Sequence, residues 1–332
     1  MIWLTLTLSL LFILIAAEIF VKALEHLGEK LGISEGVTGS VFAAVGTALP
    51  ETMVPLIAIL GGTAASSTEI GTGAILGAPL MLSTLSVSLM GFAVLRKRGM
   101  NGRFNPERSG LSRDLNTFLA AFALACVSMF VPHTHPAIRA MLAFGMVLIY
   151  FVYIMMTLRA SSQLVADGHA TEAEAPMWLT RLGFPNHLIT ILTQLGLALA
   201  LLAASADHFI MAISQAAPVL GISPLLLSLL IVPIATELPE KINSILWIRR
   251  NKDTLAFGNI TGALVFQGTL LPAIGIGLTP WLPQPALLSG LLITLAGAAW
   301  LRLCLARGPI RVWQLWINGT LYLAYLLINL LP

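Results

Sequence analysis

Charge is what this sequence has least of. Lys, Arg, Asp and Glu together make up 10% of its 332 residues, while 57% are hydrophobic and the mean hydropathy is +0.90. Soluble domains usually carry about 25% charged residues. A chain of this size exposes too much surface to hide that deficit, so a water-soluble fold is excluded and a lipid bilayer is the solvent that fits. Nor is there a long polar block that could fold as a separate soluble domain. Cysteine is scarce as well: Cys126 and Cys304 lie in or at the end of apolar stretches. Neither has the spacing of a metal or redox motif, which leaves them as packing residues and implies no disulfide. Finally, no Lys or Arg precedes Lys22. Met1 to Ala17 thus lacks the basic start of a signal peptide, although Ile15-Ala16-Ala17 resembles a cleavage site. We read this segment as a first membrane span.

Runs of about 20 apolar residues place ten spans, at 2–26, 33–60, 68–95, 114–132, 137–159, 187–218, 222–249, 254–279, 284–304 and 311–331. The basic residues fall in short joints: Arg96-Lys97-Arg98 with Arg103, Arg108 and Arg113; Arg159 with Arg181; Arg249-Arg250 with Lys252; and Arg302, Arg307 and Arg311. With ten spans all of these joints share one side, while 131–136 and 279–283 opposite carry no Lys or Arg. The positive-inside rule makes the basic side cytoplasmic and puts both termini outside. The net charge of +3 is accounted for in this way and calls for no nucleic-acid partner.

The chain also repeats itself. Gly32-Ile33-Ser34 precedes Thr47-Ala48-Leu49-Pro50-Glu51, and Gly221-Ile222-Ser223 precedes Thr236-Glu237-Leu238-Pro239-Glu240, with 189 residues separating each pair of equivalents. At the same offset Glu18 pairs with Asp207, Phe20 with Phe209 and Ala23 with Ala212. A weaker match relates 73–78 to 258–263. The expectation is an all-α membrane protein of ten transmembrane helices in two inverted-topology five-helix repeats. The first would occupy 1–160 and the second 187–332, with a cytoplasmic linker at 161–186. Inverted repeats are a common transporter architecture, with the binding site between the halves near the midplane.

Glu51 and Glu240 fall about half-way along apolar spans, where an ionisable group is costly unless it is paired, protonated or facing a wet cavity. Each follows a proline, which disturbs the helix and frees carbonyls that can hold a cation. Thr47 and Thr236 stand four residues before these glutamates, a spacing that puts each pair on one helix face. Hydroxyl, carbonyl and carboxylate oxygens suit hard cations. A lone Pro-Glu is as easily a kink with a capped carboxylate, but two in register favour a site. Glu237, three residues before Glu240, adds a third carboxylate. Close carboxylates repel, and a bound proton is one relief.

Gly46-Thr47-Ala48-Leu49-Pro50-Glu51 and Ala235-Thr236-Glu237-Leu238-Pro239-Glu240 resemble the two alpha-repeat motifs of the sodium/calcium exchanger (cation/calcium exchanger) superfamily. The resemblance implies alternating access, a site built from spans 2, 3, 7 and 8, and calcium binding by the two Pro-Glu carboxylates in competition with sodium. This sequence departs from the family pattern. The Ser positions after Gly-Thr are Ala48 and Glu237, span 3 has Ala74, Ala78 and Leu82 at polar positions, and span 8 keeps Asn259 but has Ala263 and Gln267. We read Glu237 as replacing the charge absent at Gln267.

The expected function is therefore exchange of a divalent cation, Ca²⁺ foremost, for Na⁺ or H⁺ across the plasma (inner) membrane. Glu51, Glu240, Glu237, Thr47, Thr236 and Gln267 are the expected ligands, with no cofactor and no obligate protein partner. Asn243 and Thr261 are lesser candidates. Rival readings are another cargo (Mg²⁺, Mn²⁺ or a monovalent ion), an intramembrane enzyme, or an ion sensor that does not transport. Glu18 suits a local pair with Lys22. His133 and His135 read as polar loop residues, and Trp178, Trp247, Trp281, Trp313 and Trp316 as interfacial anchors. Gly71, Gly73 and Gly77 suit close helix packing.

Overall fold

The computed structural model describes residues 2–33, 51–52, 55–56, 59–60, 65–132, 134–166, 176–220, 229–230, 233 and 236–330. These are mostly helical. In chain order come α1 (Ile2–Leu31), α2 (Ala65–Met81), a π-helical turn (Leu82–Ser86), α3 (Val87–Arg98), strand β1 (Arg103–Phe104), α4 (Arg108–Ser128) and α5 (Pro136–Ala166). Then follow α6 (Trp178–Arg181), α7 (Leu188–Leu220), α8 (Leu238–Arg249), α9 (Asp253–Leu278), α10 (Pro285–Arg307), β2 (Ile310–Arg311) and α11 (Val312–Leu330). Among the described residues, four helical stretches are long and apolar enough to cross a membrane: Gly71–Arg98, Pro136–Ala160, Asp253–Leu278 and Pro285–Arg307.

Several boundaries differ from expectation. The span read as 114–132 begins earlier, at Arg108, because Glu107 caps it by accepting hydrogen bonds from the Ser109 and Gly110 amides, each at 2.6 Å. Apolarity alone misses such a start, since the first turns are polar. Of the span read as 222–249, the described helix α8 is the part from Leu238, preceded by a turn at Glu237. The linker read as 161–186 begins inside α5, which continues to Ala166.

Two layers of contact hold the helices. Helix α9 is buried along nearly its whole length and packs against α2, α4, α5 and α8, while α1 lies along α7. A close approach brings α2 to the second half: a Cβ added to Gly77 would lie 2.5 Å from the Leu229 carbonyl oxygen and 2.8 Å from the Pro233 ring. Backbone cannot yield to that contact cheaply. Gly77→Ala is therefore expected to cost about 1–3 kcal/mol, seen as a lower melting temperature of the detergent-solubilised protein; an unchanged melt would show that the two segments separate freely.

The basic joints meet. Arg98 pairs with Asp253 at 2.7 Å and also bonds the Ile248 and Arg103 carbonyls. Lys97 reaches Asn251, and β1 pairs antiparallel with β2. At the other end of α9, Arg139 donates to the carbonyls of Ile276, Thr279 and Pro280. That end thus holds a buried arginine just inside a joint with no Lys or Arg of its own, serving as a helix C-cap.

Candidate cation site

The chain turns at Glu237 because Pro239 opens α8 at a position where a missing amide proton costs nothing. This turn directs Glu237 and Glu240 to one point. Glu51, from the first half, joins them: one carboxylate oxygen from each of Glu51, Glu237 and Glu240 lies within 4.8 Å of the others. All three residues are buried, at 2%, 0% and 0% exposure. Charges about 5 Å apart repel by roughly 3 kcal/mol per pair at an effective dielectric constant near 20. Such a cluster needs positive charge.

Its dimensions suit a metal ion. Calcium takes oxygen ligands at about 2.3–2.6 Å, so oxygens on opposite sides of one ion stand roughly 5 Å apart. Both Glu51 oxygens and Glu237 Oε2 have no hydrogen-bond partner among the described residues. Gln267, buried in α9, donates from Nε2 to Glu237 Oε1 at 2.6 Å and leaves its own Oε1 without a partner among the described residues. Glu237 and Gln267 are therefore joined by a side-chain hydrogen bond. Asn259 supports the site from behind, donating to the Glu240 carbonyl at 3.0 Å and to Ser244 Oγ at 2.9 Å.

The other expected ligands divide. Thr236 is buried one residue before Glu237. Thr47 lies outside the described residues. Asn243 is buried, and neither of its side-chain polar atoms has a partner among the described residues. Thr261 points elsewhere: its hydroxyl bonds Asp114 Oδ2 at 2.7 Å, and Asp114 Oδ1 accepts from Tyr153 at 3.0 Å. This buried knot joins α4, α5 and α9 and removes Thr261 from the cavity.

Away from the site, Lys22 bonds Glu18 at 2.5 Å as its spacing suggested. His133 lies outside the described residues. Two of the five tryptophans face the protein interior. Trp247 and Trp281 are fully buried, with their indole N–H groups on Glu25 Oε1 and the Ala125 carbonyl. One charged residue at the site escaped the sequence reading: Lys241 is buried directly after Glu240. An ionisable residue inside an apolar span is a signal in its own right.

Comparison with known proteins supplies the family. The sodium/calcium exchanger protein family matches residues 1–159 and 190–331. The inner membrane protein YrbG of Escherichia coli is 25% identical over 82% of this chain and 78% of its own length. CaxA of Alkalimonas amylolytica, a proposed antiporter, is 28% identical over 81% and 77%. Among solved structures, the sodium-calcium exchanger NCX_Mj soaked with Na⁺ and Sr²⁺ superposes with a TM-score of 0.74 at 18% identity, covering 99% of both chains. The family and the matched solved structures are exchangers, and the chain itself is an integral-membrane member of the sodium/calcium exchanger family, not an enzyme.

Proposed function

We propose that this protein is an antiporter that exchanges a divalent cation, best Ca²⁺, for Na⁺ or H⁺. The observation that carries the reading is the convergence of three buried carboxylates from two distant parts of the chain, within 4.8 Å of one another. In the proposal Glu51, Glu237 and Glu240 bind the ion, Gln267 contributes Oε1, Thr236 assists, and Thr47 does so from the first half. Carboxylate and amide oxygens favour hard cations over softer ones. Ten spans in two inverted halves would alternately open this site to the two faces of the inner (plasma) membrane, with both termini outside. The gathering of the basic joints through Arg98, Asp253 and the β1–β2 pair supports one basic, cytoplasmic side.

The test is ⁴⁵Ca²⁺ uptake into proteoliposomes loaded with Na⁺ or with acidic buffer, against ion-matched controls. Uptake driven by one gradient establishes exchange and names the counter-ion. Folded, inserted protein that takes up no Ca²⁺ under either gradient overturns the assignment, and competition by Mg²⁺ or Mn²⁺ tests the cargo.

A further inference from the structure

Two basic joints of the chain meet more closely than orientation in a membrane requires. In the β1–β2 ladder Arg103 stands directly opposite Arg311, and cross-strand neighbours have their Cβ atoms about 4.5–5.5 Å apart. Like charges so placed destabilise a strand pair. Backbone bonds from Val312 to the Gly102 carbonyl at 3.0 Å and from Trp313 to the Met100 carbonyl at 3.1 Å hold this register. The two charges therefore cannot slide apart. Arg307, in the last turn of α10, joins them, and all three arginines line one cavity of about 240 Å³ with Cys304, Trp313 and Gln314.

This cavity has donors and no counter-charge. No Asp or Glu among the described residues lines it, and none lies within ion-pair reach of the three arginines. Acids close by in the chain are engaged elsewhere. Asp253 holds Arg98, and Glu107 accepts from the Ser109 and Gly110 amides. Gln314 Oε1 accepts from the Arg311 amide at 2.7 Å, so the polar atom it has left, Nε2, is a further donor. The carbonyl end of α10 would repel an anion, but Arg108 meets it by donating to the Leu305 carbonyl at 2.6 Å. Arg103, Arg307 and Arg311 are exposed, so a ligand can reach them from outside. Water screens their repulsion without supplying the missing charge.

We propose that this cavity binds the phosphate of an anionic phospholipid headgroup, clamped between Arg103, Arg307 and Arg311. Planar guanidinium forks match phosphate oxygens two at a time. The level in the membrane favours a lipid over a soluble phosphate. Helix α10 is long and apolar enough to cross a membrane, and the cavity lies at its last turn, where headgroups stand. Trp313 lines the same cavity and is 37% exposed, as suits a ring at headgroup level. Basic pockets between membrane helices on the cytoplasmic side hold anionic headgroups in this way. The bound phosphate offsets the opposed arginines and so fastens the α3–α4 joint to the α10–α11 joint. The proposal does not depend on which ion the protein carries.

The experiment treats the purified full-length protein in detergent with phenylglyoxal, which modifies accessible guanidinium groups, and locates the modified arginines by mass spectrometry. Phosphatidylglycerol is added in one arm, phosphatidylcholine in a second and inorganic phosphate in a third. Phosphatidylglycerol at about ten times its dissociation constant is expected to slow modification of Arg103, Arg307 and Arg311 by roughly tenfold. Arg181, exposed in α6 and outside the cavity, should react at its original rate, and phosphatidylcholine should protect none of the four. Equal protection of Arg181, or no protection of the three, overturns the site. Protection by inorganic phosphate with none from phosphatidylglycerol overturns the lipid as its source. Arg311→Gln supplies a second readout. Without anionic lipid it should melt above the wild type, because the cross-strand repulsion is relieved. Phosphatidylglycerol should raise the wild-type melting temperature by roughly 2–4 °C and leave that of Arg311→Gln unchanged. A variant that melts below the wild type and keeps the full lipid response overturns the proposal.

Discussion

Replacing Glu240 or Glu51 by Gln is expected to abolish divalent exchange while leaving a folded protein. Each substitution keeps the shape of the side chain and removes one of three negative charges that converge within 4.8 Å. An ion taken from water into a buried site must recover its lost hydration from its ligands. Removing one partner of a buried charge pair costs about 3–5 kcal/mol, which corresponds to roughly 10²- to 10³-fold or more in affinity. Uptake of ⁴⁵Ca²⁺ into proteoliposomes would then fall to the level of empty vesicles. A second readout separates binding from turnover. Ca²⁺ raises the melting temperature of a protein that binds it in the native state only, and this rise should vanish in both variants. Retained flux in Glu240→Gln would remove the carboxylate cluster from the transport path.

Glu237 is expected to behave differently, because Gln267 already holds one of its oxygens. Glu237→Ser loses a charge and leaves the Gln267 amide without its acceptor, so affinity falls or the preferred counter-ion changes. The three carboxylates are thus unequal: two come from the repeated Pro-Glu motif, and the third is anchored to α9 through an amide.

The sequence made the two Pro-Glu carboxylates legible for a physical reason. Charge inside an apolar run stands out, and a constant offset of 189 residues carried the pattern from one half to the other. The same register linked Glu237 to Gln267, since one position gained a charge where the other lacked one, while the hydrogen bond between them is set by the fold. Lys241 was not found, although it stands next to Glu240, because a search organised around repeated residues passes over one that has no twin. The π-helical turn at Leu82–Ser86 could not be read, since its leucines and hydroxyl residues also occur in the helices on either side. Asp114 looked like the polar edge of a span. Because α4 starts at Arg108, it lies well inside the helix, fully buried and bonded to Tyr153 and Thr261. Thr261 shows the converse limit: its spacing fits the cavity, but hydroxyl direction depends on a partner 147 residues away in sequence.

Glu25→Leu is expected to cause the largest loss of stability among substitutions outside the cation site. Glu25 sits near the end of α1 with no exposed surface, and its Oε1 accepts from the Trp247 indole at 2.8 Å. The same oxygen lies 3.7 Å from both Arg250 and Lys252. This one carboxylate therefore ties α1 to the α8–α9 joint through a fully buried tryptophan and two cations. Leucine would fill the volume but leave the indole N–H without this acceptor and remove the Glu25 charge from beside Arg250 and Lys252. Stranding one side of a buried pair costs about 3–5 kcal/mol. Arg250 is 30% exposed and recovers some hydration, which places the expected loss near the lower end of that range. The measurement is the thermal unfolding midpoint of purified protein in detergent, with Glu18→Leu as a control, because the Glu18–Lys22 pair is half-exposed at its acidic end and surface pairs contribute only about 0–1 kcal/mol. A marked drop for Glu25→Leu and a small one for Glu18→Leu would establish that Glu25 fastens α1 to the α8–α9 joint. Equal and small effects would mean that the packing of α1 along α7 holds it without Glu25.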